Sequence, residues 1–231
     1  MRSAKRVGLI LSIPTNPGAL GRLAFDVRRP VPHLCAMITG IVLAGGRSGR
    51  MGHPKALLTV DGVSFLERCA ASLTAGGCED VLVVLNSEDA EMARLASAAG
   101  ARVVRGAGEG SEQIDSLRAG LEELAPRVEA VVVLPVDHPL VTGETVKALV
   151  RAYRESWAPV VRVAYAGKRG HPVLFDRICF PGLLEGGSTE GARAVIHRYR
   201  DRSRDVEVAD PGVLADIDTP ADFERYLGDR P

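Results

Sequence analysis

Between residues 40 and 57 the chain reads Gly-Ile-Val-Leu-Ala-Gly-Gly-Arg-Ser-Gly-Arg-Met-Gly-His-Pro-Lys-Ala-Leu. Gly45, Gly46, Gly49 and Gly52 carry no side chains, so backbone N–H groups there can close on an anion, and Arg47, Arg50 and Lys55 set positive charge beside it. That is the chemistry of phosphate binding. Arg50 and Lys55, separated by a short loop, can both curl over a polyphosphate lying on the glycine amides. Ser48 either bonds a phosphate or stabilises the turn. Two common phosphate loops are excluded by spacing. No glycine in the stretch precedes a lysine, as a Walker A loop requires, and the G-x-x-G-x-x-G spacing, with a second strand ending at Asn86, departs from the dinucleotide fingerprint.

Carboxylates supply the second half of the chemistry. Asp137 follows the apolar run Val131-Val132-Val133-Leu134 and so falls at the C-terminal edge of a sheet, where ligands of open α/β folds bind. A carboxylate there holds a divalent cation against a phosphate, or else begins a turn with His138-Pro139. Asp216 and Asp218 alternate across Ile217, which in an extended segment puts both carboxylates on one face with Ile217 behind them. His171, in Gly-His-Pro, either contacts an acceptor or packs beneath a hairpin. His53, His138 and His197 read as structural or solvent-exposed.

These residues need elements to position them. From Ile38 onward, Val/Leu-rich runs at 38–44, 80–85, 102–104 and 130–134 alternate with helical stretches at 64–74, 88–98 and 112–124. That is the pattern of a βα-repeating sheet covered on both faces. In 64–74, apolar residues at Phe65, Leu66, Cys69, Ala70 and Leu73 recur at spacings of three and four, giving one buried face. After Asp137 the pattern predicts a helix from the Thr142 cap through Tyr153, then a hairpin-like insertion of strands 160–164 and 172–175 around a glycine-rich turn at 167–170. A helix at 191–199, a strand at 206–208 and a closing helix at 220–227, capped by Thr219 with Pro220 in its first turn, complete it. The first half is Rossmann-like, and the second half is expected to bind an acceptor.

Composition narrows the setting. Lys plus Arg and Asp plus Glu both total 29 in 231 residues, which leaves no net field to draw the chain to nucleic acid or an anionic membrane. The run Arg198 to Arg204 is interrupted by Asp201 and reads as a solvated loop. Cys35, Cys69, Cys78 and Cys179 show neither C-x-x-C pairing nor zinc-ligand spacing, so they read as reduced thiols of a cytoplasmic protein. No apolar run reaches the roughly 18 residues of a membrane span. Residues 1–36, with four prolines and no sustained period, read as a disordered extension or a misassigned start before Met37, and 37–231 as a single domain.

The stretch Leu43 to Lys55 resembles the L-A-(A/G)-G-x-S-x-R-M-G-x-P-K pattern of the molybdenum-cofactor nucleotidyltransferases. Further blocks resemble the same family in the same order: Ser116 to Leu121, Pro135 to Val141, Arg169 to Phe175, Glu190 to Arg193 and Asp216 to Pro220. The resemblance runs over 38–228. It implies a Rossmann-like three-layer α/β/α nucleotidyltransferase fold, glycosyltransferase-A-like, with a mixed, mostly parallel sheet. It implies transfer of a nucleoside monophosphate, CMP in preference to GMP, from CTP or GTP to the phosphate of molybdopterin, with release of pyrophosphate. Leu43, Ala44, Gly45, Gly46, Ser48, Arg50, Lys55 and Ser116 are then nucleotide-binding, with Arg50, Lys55 and Asp137 catalytic. Asp137 and Asp218 hold Mg²⁺, and His171 and Asp216 meet the acceptor. A molybdenum enzyme or its chaperone is the implied partner. Glycine at position 45, where cytidylyl enzymes commonly carry a second alanine, is shared with the guanylyl branch and leaves the donor base open. Two alternatives stand beside this reading: transfer to a sugar phosphate or other small phosphorylated metabolite, and a non-catalytic nucleotide-binding maturation factor.

Overall fold

Strands whose residues are apolar on both sides need cover on both faces, and the runs predicted from sequence receive it. A computed structural model describes residues 36–45, 53–108, 110–185 and 191–228. The expectations for residues 1–35, and for Gly46, Arg47, Ser48, Gly49, Arg50, Gly52 and Glu190, lie outside the described residues.

In chain order the elements are β1 (Met37–Leu43), a short ribbon of β2 (Thr59–Val60) and β3 (Val63–Ser64), α1 (Phe65–Ala75), β4 (Asp80–Leu85), α2 (Ala90–Ala98) and β5 (Arg102–Arg105). There follow α3 (Gln113–Glu122), β6 (Val128–Pro135), α4 (Gly143–Ser156), β7 (Val160–Tyr165), β8 (Lys168–Asp176), α5 (Phe180–Leu184), α6 (Ala192–Arg198), β9 (Arg204–Glu207) and α7 (Pro220–Leu227). The main sheet runs β5-β4-β1-β6-β8-β7-β9. Its first four strands are parallel; β8 is antiparallel to both neighbours, and β9 pairs parallel with β7.

Alternation along the strands divides the core into two layers. Ile38, Val42, Val81, Val83, Val132 and Leu134 point to one side, where they meet Leu66, Cys69 and Leu73 of α1, Met92 of α2, Leu149 of α4 and Phe223 of α7. Ile41, Leu43, Leu82, Val84, Val131 and Val133 point to the other, against Ile114, Leu117 and Leu121 of α3, Leu183 of α5 and Val195 of α6. Helices on both faces of a mixed, mostly parallel sheet make the three-layer α/β/α architecture expected.

Local signals explain the element ends. At α1 the Ser64 Oγ accepts from the Glu67 N–H while the Glu67 carboxylate accepts from the Ser64 N–H, a reciprocal cap. Thr142 caps α4 as predicted, accepting from the Thr145 N–H. That helix continues past Tyr153 to Ser156 and stops where Trp157 turns left-handed at φ 52°. Thr219 caps α7, with Pro220 in its first turn.

Two expectations are corrected. The hairpin of β7 and β8 is no insertion, since β8 lies between β6 and β7 inside the main sheet, its Val173, Leu174 and Phe175 facing Val133, Val132 and Val131. The reason is its side-chain pattern: Leu174 belongs to one core layer and Val173 and Phe175 to the other, so both faces of β8 demand cover. The strand predicted at 206–208 begins earlier, at Arg204, pairing with Val161 of β7.

Candidate functional site

Four strands deliver their carboxyl ends to one edge of the sheet, and each leaves a polar or open position there: Gly45 after β1, Asn86 after β4, Gly106 after β5 and Asp137 after β6. Asn86 ties the end of β1 to the start of α3. Its Nδ2 shares its two N–H groups among the Gly45 carbonyl at 2.9 Å, Ser111 Oγ at 2.8 Å and Ser116 Oγ at 3.0 Å, while Ser116 Oγ also reaches Asn86 Oδ1. The fit is close enough to require glycine twice. A Cβ on Gly45 would stand 2.2 Å from Asn86 Nδ2, and one on Gly106 would stand 1.8 Å from Asn86 Oδ1. Ser116, predicted to face a nucleotide, is 2% exposed and engages Asn86. Arg118 ties α3 to the Leu183 and Glu185 carbonyls.

Across the end of β6 three carboxylates and one ammonium converge. The Ile217 N–H donates to the Asp137 carbonyl at 2.9 Å and lays the segment 216–218 along the strand end. Ile217 is fully buried and Asp216 is exposed beside it, the alternation read from sequence. Upstream, the Asp210 carboxylate accepts from Thr142 Oγ1, Thr145 Oγ1 and the Gly212 N–H, anchoring the same segment to the first turn of α4. Lys55, on a single 3₁₀ turn after the glycine-rich loop, sends its ammonium into contact with Asp218 and to 3.8 Å from Asp137 Oδ2.

His138 completes the cluster. Expected to be structural or exposed, it is 7% exposed with Nδ1 2.8 Å from Asp137 Oδ1. Ligand atoms of Asp137, His138 and Asp216 all lie within 4.8 Å of one another. Thus it is Asp216, expected to meet the acceptor, that gathers with Asp137, while Asp218, expected on the metal, is held by Lys55.

The electrostatics follow from this crowding. Burial alone would raise the Asp137 carboxyl, but the hydrogen bond and charge of His138, with Lys55 behind them, outweigh it and hold Asp137 below the ordinary carboxylate range. Asp216 is pushed the other way by burial and by the Asp137 and Asp218 carboxylates. Three carboxylates thus crowd one ammonium and one imidazole, an oxygen-rich set of the kind that holds a divalent cation.

Beside this edge opens a cleft of about 1130 Å³ between α3, α6 and the sheet. Leu43, Pro135 and His171 are at the cluster's end of it. Apolar Val133 and Phe175 line it, as do Glu112 and four cations, Arg162, Arg169, Arg193 and Arg200. Asp205 pairs with Arg162 at 2.8 Å and with Arg169 at 2.9 Å, so those two guanidiniums are positioned as well as charged. His171 stands edge-on to His138, with ring centroids 4.8 Å apart, and its Nδ1 is buried without a hydrogen-bond partner. Burial, with His138 beside it, pushes the His171 imidazole down to about 4.

The structure therefore brings together Leu43, Ala44, Gly45, Lys55, Ser116, Asp137, His171, Asp216 and Asp218 at one sheet edge. Sequence reasoning noticed Asn86 only as a non-acidic strand end and read His138 as structural or exposed; an asparagine closing a strand opposite a glycine-rich loop is the signal that was available for the first.

Residues 40–203 match a family described as the MobA-like NTP transferase domain. The chain is 28% identical over 199 residues to nicotine blue oxidoreductase of Paenarthrobacter nicotinovorans, covering 82% of this chain and 96% of that protein. It is 26% identical to the molybdenum cofactor guanylyltransferase of Xanthomonas euvesicatoria, over 84% of this chain and 96% of that one. With 2-C-methyl-D-erythritol 4-phosphate cytidylyltransferase of Thermobifida fusca it shares 34% identity over 141 residues, 57% of this chain and 55% of the relative. Among solved structures, Rv0371c of Mycobacterium tuberculosis superposes with a TM-score of 0.69 at 29% identity, covering 84% of this chain and 98% of that one. A manganese complex of Rv0371c gives 0.67 at 27% identity, over 83% of this chain and 98% of that one.

Proposed function

This chain belongs to the MobA-like NTP transferase domain family, and we propose that it transfers a cytidylyl or guanylyl group from the triphosphate to the phosphate of a molybdopterin-type acceptor. A phosphate oxygen of the acceptor bonds to the α-phosphorus of the triphosphate, the bond to the β-phosphate oxygen breaks, and pyrophosphate leaves. The observation that carries this reading is the convergence of Lys55, Asp137, Asp216 and Asp218 at the carboxyl ends of β1 and β6, beside an arginine-lined cleft. The acceptor phosphate is already ionised near neutral pH, so positioning and charge neutralisation carry the rate.

In this reading Leu43, Ala44, Gly45 and Gly46 receive the triphosphate, with Ser48, Arg50 and Lys55 on its phosphates, and Asn86 and Ser116 brace the loop beneath it. Asp137 and Asp216 hold the divalent cation, Mg²⁺ or Mn²⁺, which when bound stabilises charge developing on the phosphates. Asp218 holds Lys55 until the phosphates claim it. The acceptor lies in the cleft against His171, its anionic end toward the arginines. Residues 37–231 act as one domain, and a molybdenum enzyme or its maturation factor takes the product. Support for the acceptor comes from the relative named molybdenum cofactor guanylyltransferase, and support for a divalent cation from the manganese complex of Rv0371c.

A second reading, transfer to a smaller phosphorylated metabolite, is favoured by the relative named 2-C-methyl-D-erythritol 4-phosphate cytidylyltransferase. The test begins with thermal unfolding in CTP, GTP, ATP and UTP, with and without Mg²⁺ or Mn²⁺. Ligand at 100 times its dissociation constant adds about 2.7 kcal/mol, a rise of roughly 2–4 °C for each kcal/mol in a domain of this size. A cation-dependent rise with one base names the donor, and turnover with molybdopterin against methylerythritol phosphate then names the acceptor. No rise with any triphosphate refutes both readings. Asp137→Asn is expected to abolish turnover while keeping triphosphate binding.

A further inference from the structure

The carboxylate cluster contains one nitrogen. His138 follows Asp137 directly, is almost wholly buried, and presents Nδ1 to Asp137 Oδ1 at 2.8 Å. We propose that His138 Nδ1 is a direct ligand of the divalent cation, together with Asp137 and Asp216, and that this nitrogen makes the site select Mn²⁺ over Mg²⁺. The inference rests on the nucleotidyltransferase reading for the presence of a cation, and adds to it which residue decides the identity of that cation.

Geometry is the first support. An octahedral ion with bonds of about 2.1 Å sets neighbouring ligand atoms about 3 Å apart and opposite ones a little over 4 Å apart. The His138–Asp137 separation of 2.8 Å is close to the first spacing, and the 4.8 Å that spans all three ligand atoms exceeds the second only slightly. A small closure of the cluster around an ion therefore suffices. Asp216 has no hydrogen-bond donor or ion pair among the described residues, although Asp137 and Asp218 both press negative charge upon it. Its carboxylate is available to the cation.

The surroundings of His138 are the second support. The Cys69 thiol lies 3.8 Å from the His138 carbonyl, on the core side. On the other side His171 closes edge-on at an interplanar angle of 66°, its own Nδ1 buried without a partner. The backbone of His138 is thus held on the core side and its imidazole is buried against His171, which loosely held surface histidines are not.

Coordination chemistry supplies the selectivity. Mg²⁺ prefers oxygen ligands at near-ideal octahedral positions and sheds water reluctantly. Imidazole nitrogen suits first-row transition cations; Mn²⁺ stands at the weak end of their affinity order and shares the carboxylate preference of Mg²⁺, so a single nitrogen added to the carboxylates separates the two by binding Mn²⁺ where Mg²⁺ keeps its water. A sequence with a non-ligating residue after the same aspartate would lose this bias and keep the carboxylates.

The test is pulsed EPR of Mn²⁺ bound to the full chain, alone and with CTP or GTP, in protein made with ¹⁵N-labelled histidine so that base nitrogens are not mistaken for imidazole. The expected result is a directly bonded ¹⁵N coupling that persists in His171→Asn and disappears in His138→Asn, whose amide still reaches Asp137. His138→Asn is expected to lower Mn²⁺ affinity by tenfold or more while Mg²⁺ affinity stays within about twofold; loss of even an outer-shell partner commonly costs about tenfold. Bound Mn²⁺ with no histidine coupling, a coupling lost in His171→Asn instead, or equal loss of both cations in His138→Asn overturns the proposal and leaves the transferase reading standing. Failure of the wild-type protein to bind any divalent cation with any triphosphate overturns both.

Discussion

Replacing Lys55 with methionine is expected to tighten binding of Mn²⁺ to the nucleotide-free protein, the opposite of what a residue serving only as a phosphate clamp would give. The ammonium touches Asp218 and lies 3.8 Å from Asp137, so an arriving cation competes with a charge already seated among its ligands. At that distance a pair of unit charges in an effective dielectric of about 20 attracts by about 4 kcal/mol before desolvation and side-chain entropy are subtracted. If only a third of this survives, about 1.4 kcal/mol, nucleotide-free Mn²⁺ affinity rises about tenfold in the variant. Side-chain exposures of 13% for Lys55, 23% for Asp137 and 31% for Asp218 place the cluster between buried and surface pairs, so loss of the ammonium should also lower folding stability by about 1–3 kcal/mol. Mn²⁺ should restore that loss. Titration of Mn²⁺ by EPR and thermal unfolding across a Mn²⁺ series measure both effects. Arg68→Met serves as control, because it removes equal charge from a side chain bonded to the Pro139 and Val60 carbonyls rather than to the carboxylates. Unchanged or weaker Mn²⁺ binding in Lys55→Met, or the same gain in Arg68→Met, would refute competition between ammonium and cation.

Asn86→Ala frees the Gly45 carbonyl, Ser111 and Ser116 at once, and at about 1 kcal/mol or more per bond lost from a buried partner it should weaken triphosphate binding about tenfold by calorimetry; an unchanged dissociation constant would deny Asn86 its bracing role. Gly170→Ala places a Cβ 2.0 Å from the Val213 carbonyl oxygen, and overpacking of backbone on backbone should cost about 1–3 kcal/mol, seen as a lower unfolding midpoint. The His171 imidazole, pushed down to about 4 by burial from its ordinary 6.5, stays neutral in the fold while the unfolded chain takes up a proton. Stability from this group is therefore full above pH 6.5 and falls between pH 6.5 and 4, and the expected result is that His171→Gln flattens that limb of the stability profile; an equally steep acid limb in the variant would contradict it.

What was legible in the sequence was local. The βα alternation, the caps at Thr142 and Thr219, and the arrival of Asp137 at a strand end each depend on a handful of neighbouring residues, and each stands in the structure. The place of β8 was not legible, because Val173 to Phe175 read the same whether their partner is an outlying strand or β6, and pairing with β6 closes across residues 131–175.

The same limit governs the site. Asp216 and Asp218 are equivalent by alternation, and nothing in Asp-Ile-Asp says which one meets Asp137. Two tertiary contacts break the symmetry: the Ile217 N–H bond to the Asp137 carbonyl fixes the height of the segment, and the reach of Lys55 takes Asp218. His138 read as structural or exposed for a related reason. A histidine after a strand-end aspartate points wherever the next turn sends it, and here it is buried against His171 of β8. Residue types and spacing thus declare that phosphate and cation chemistry is present, whereas the balance of three carboxylates, one ammonium and one imidazole exists only once β1, β6, β8 and the 216–218 segment have met. That balance controls how tightly a cation binds and which cation it is, so substitutions at Lys55 and His138 should change cation affinity and selectivity while leaving the sequence signature of the family nearly intact.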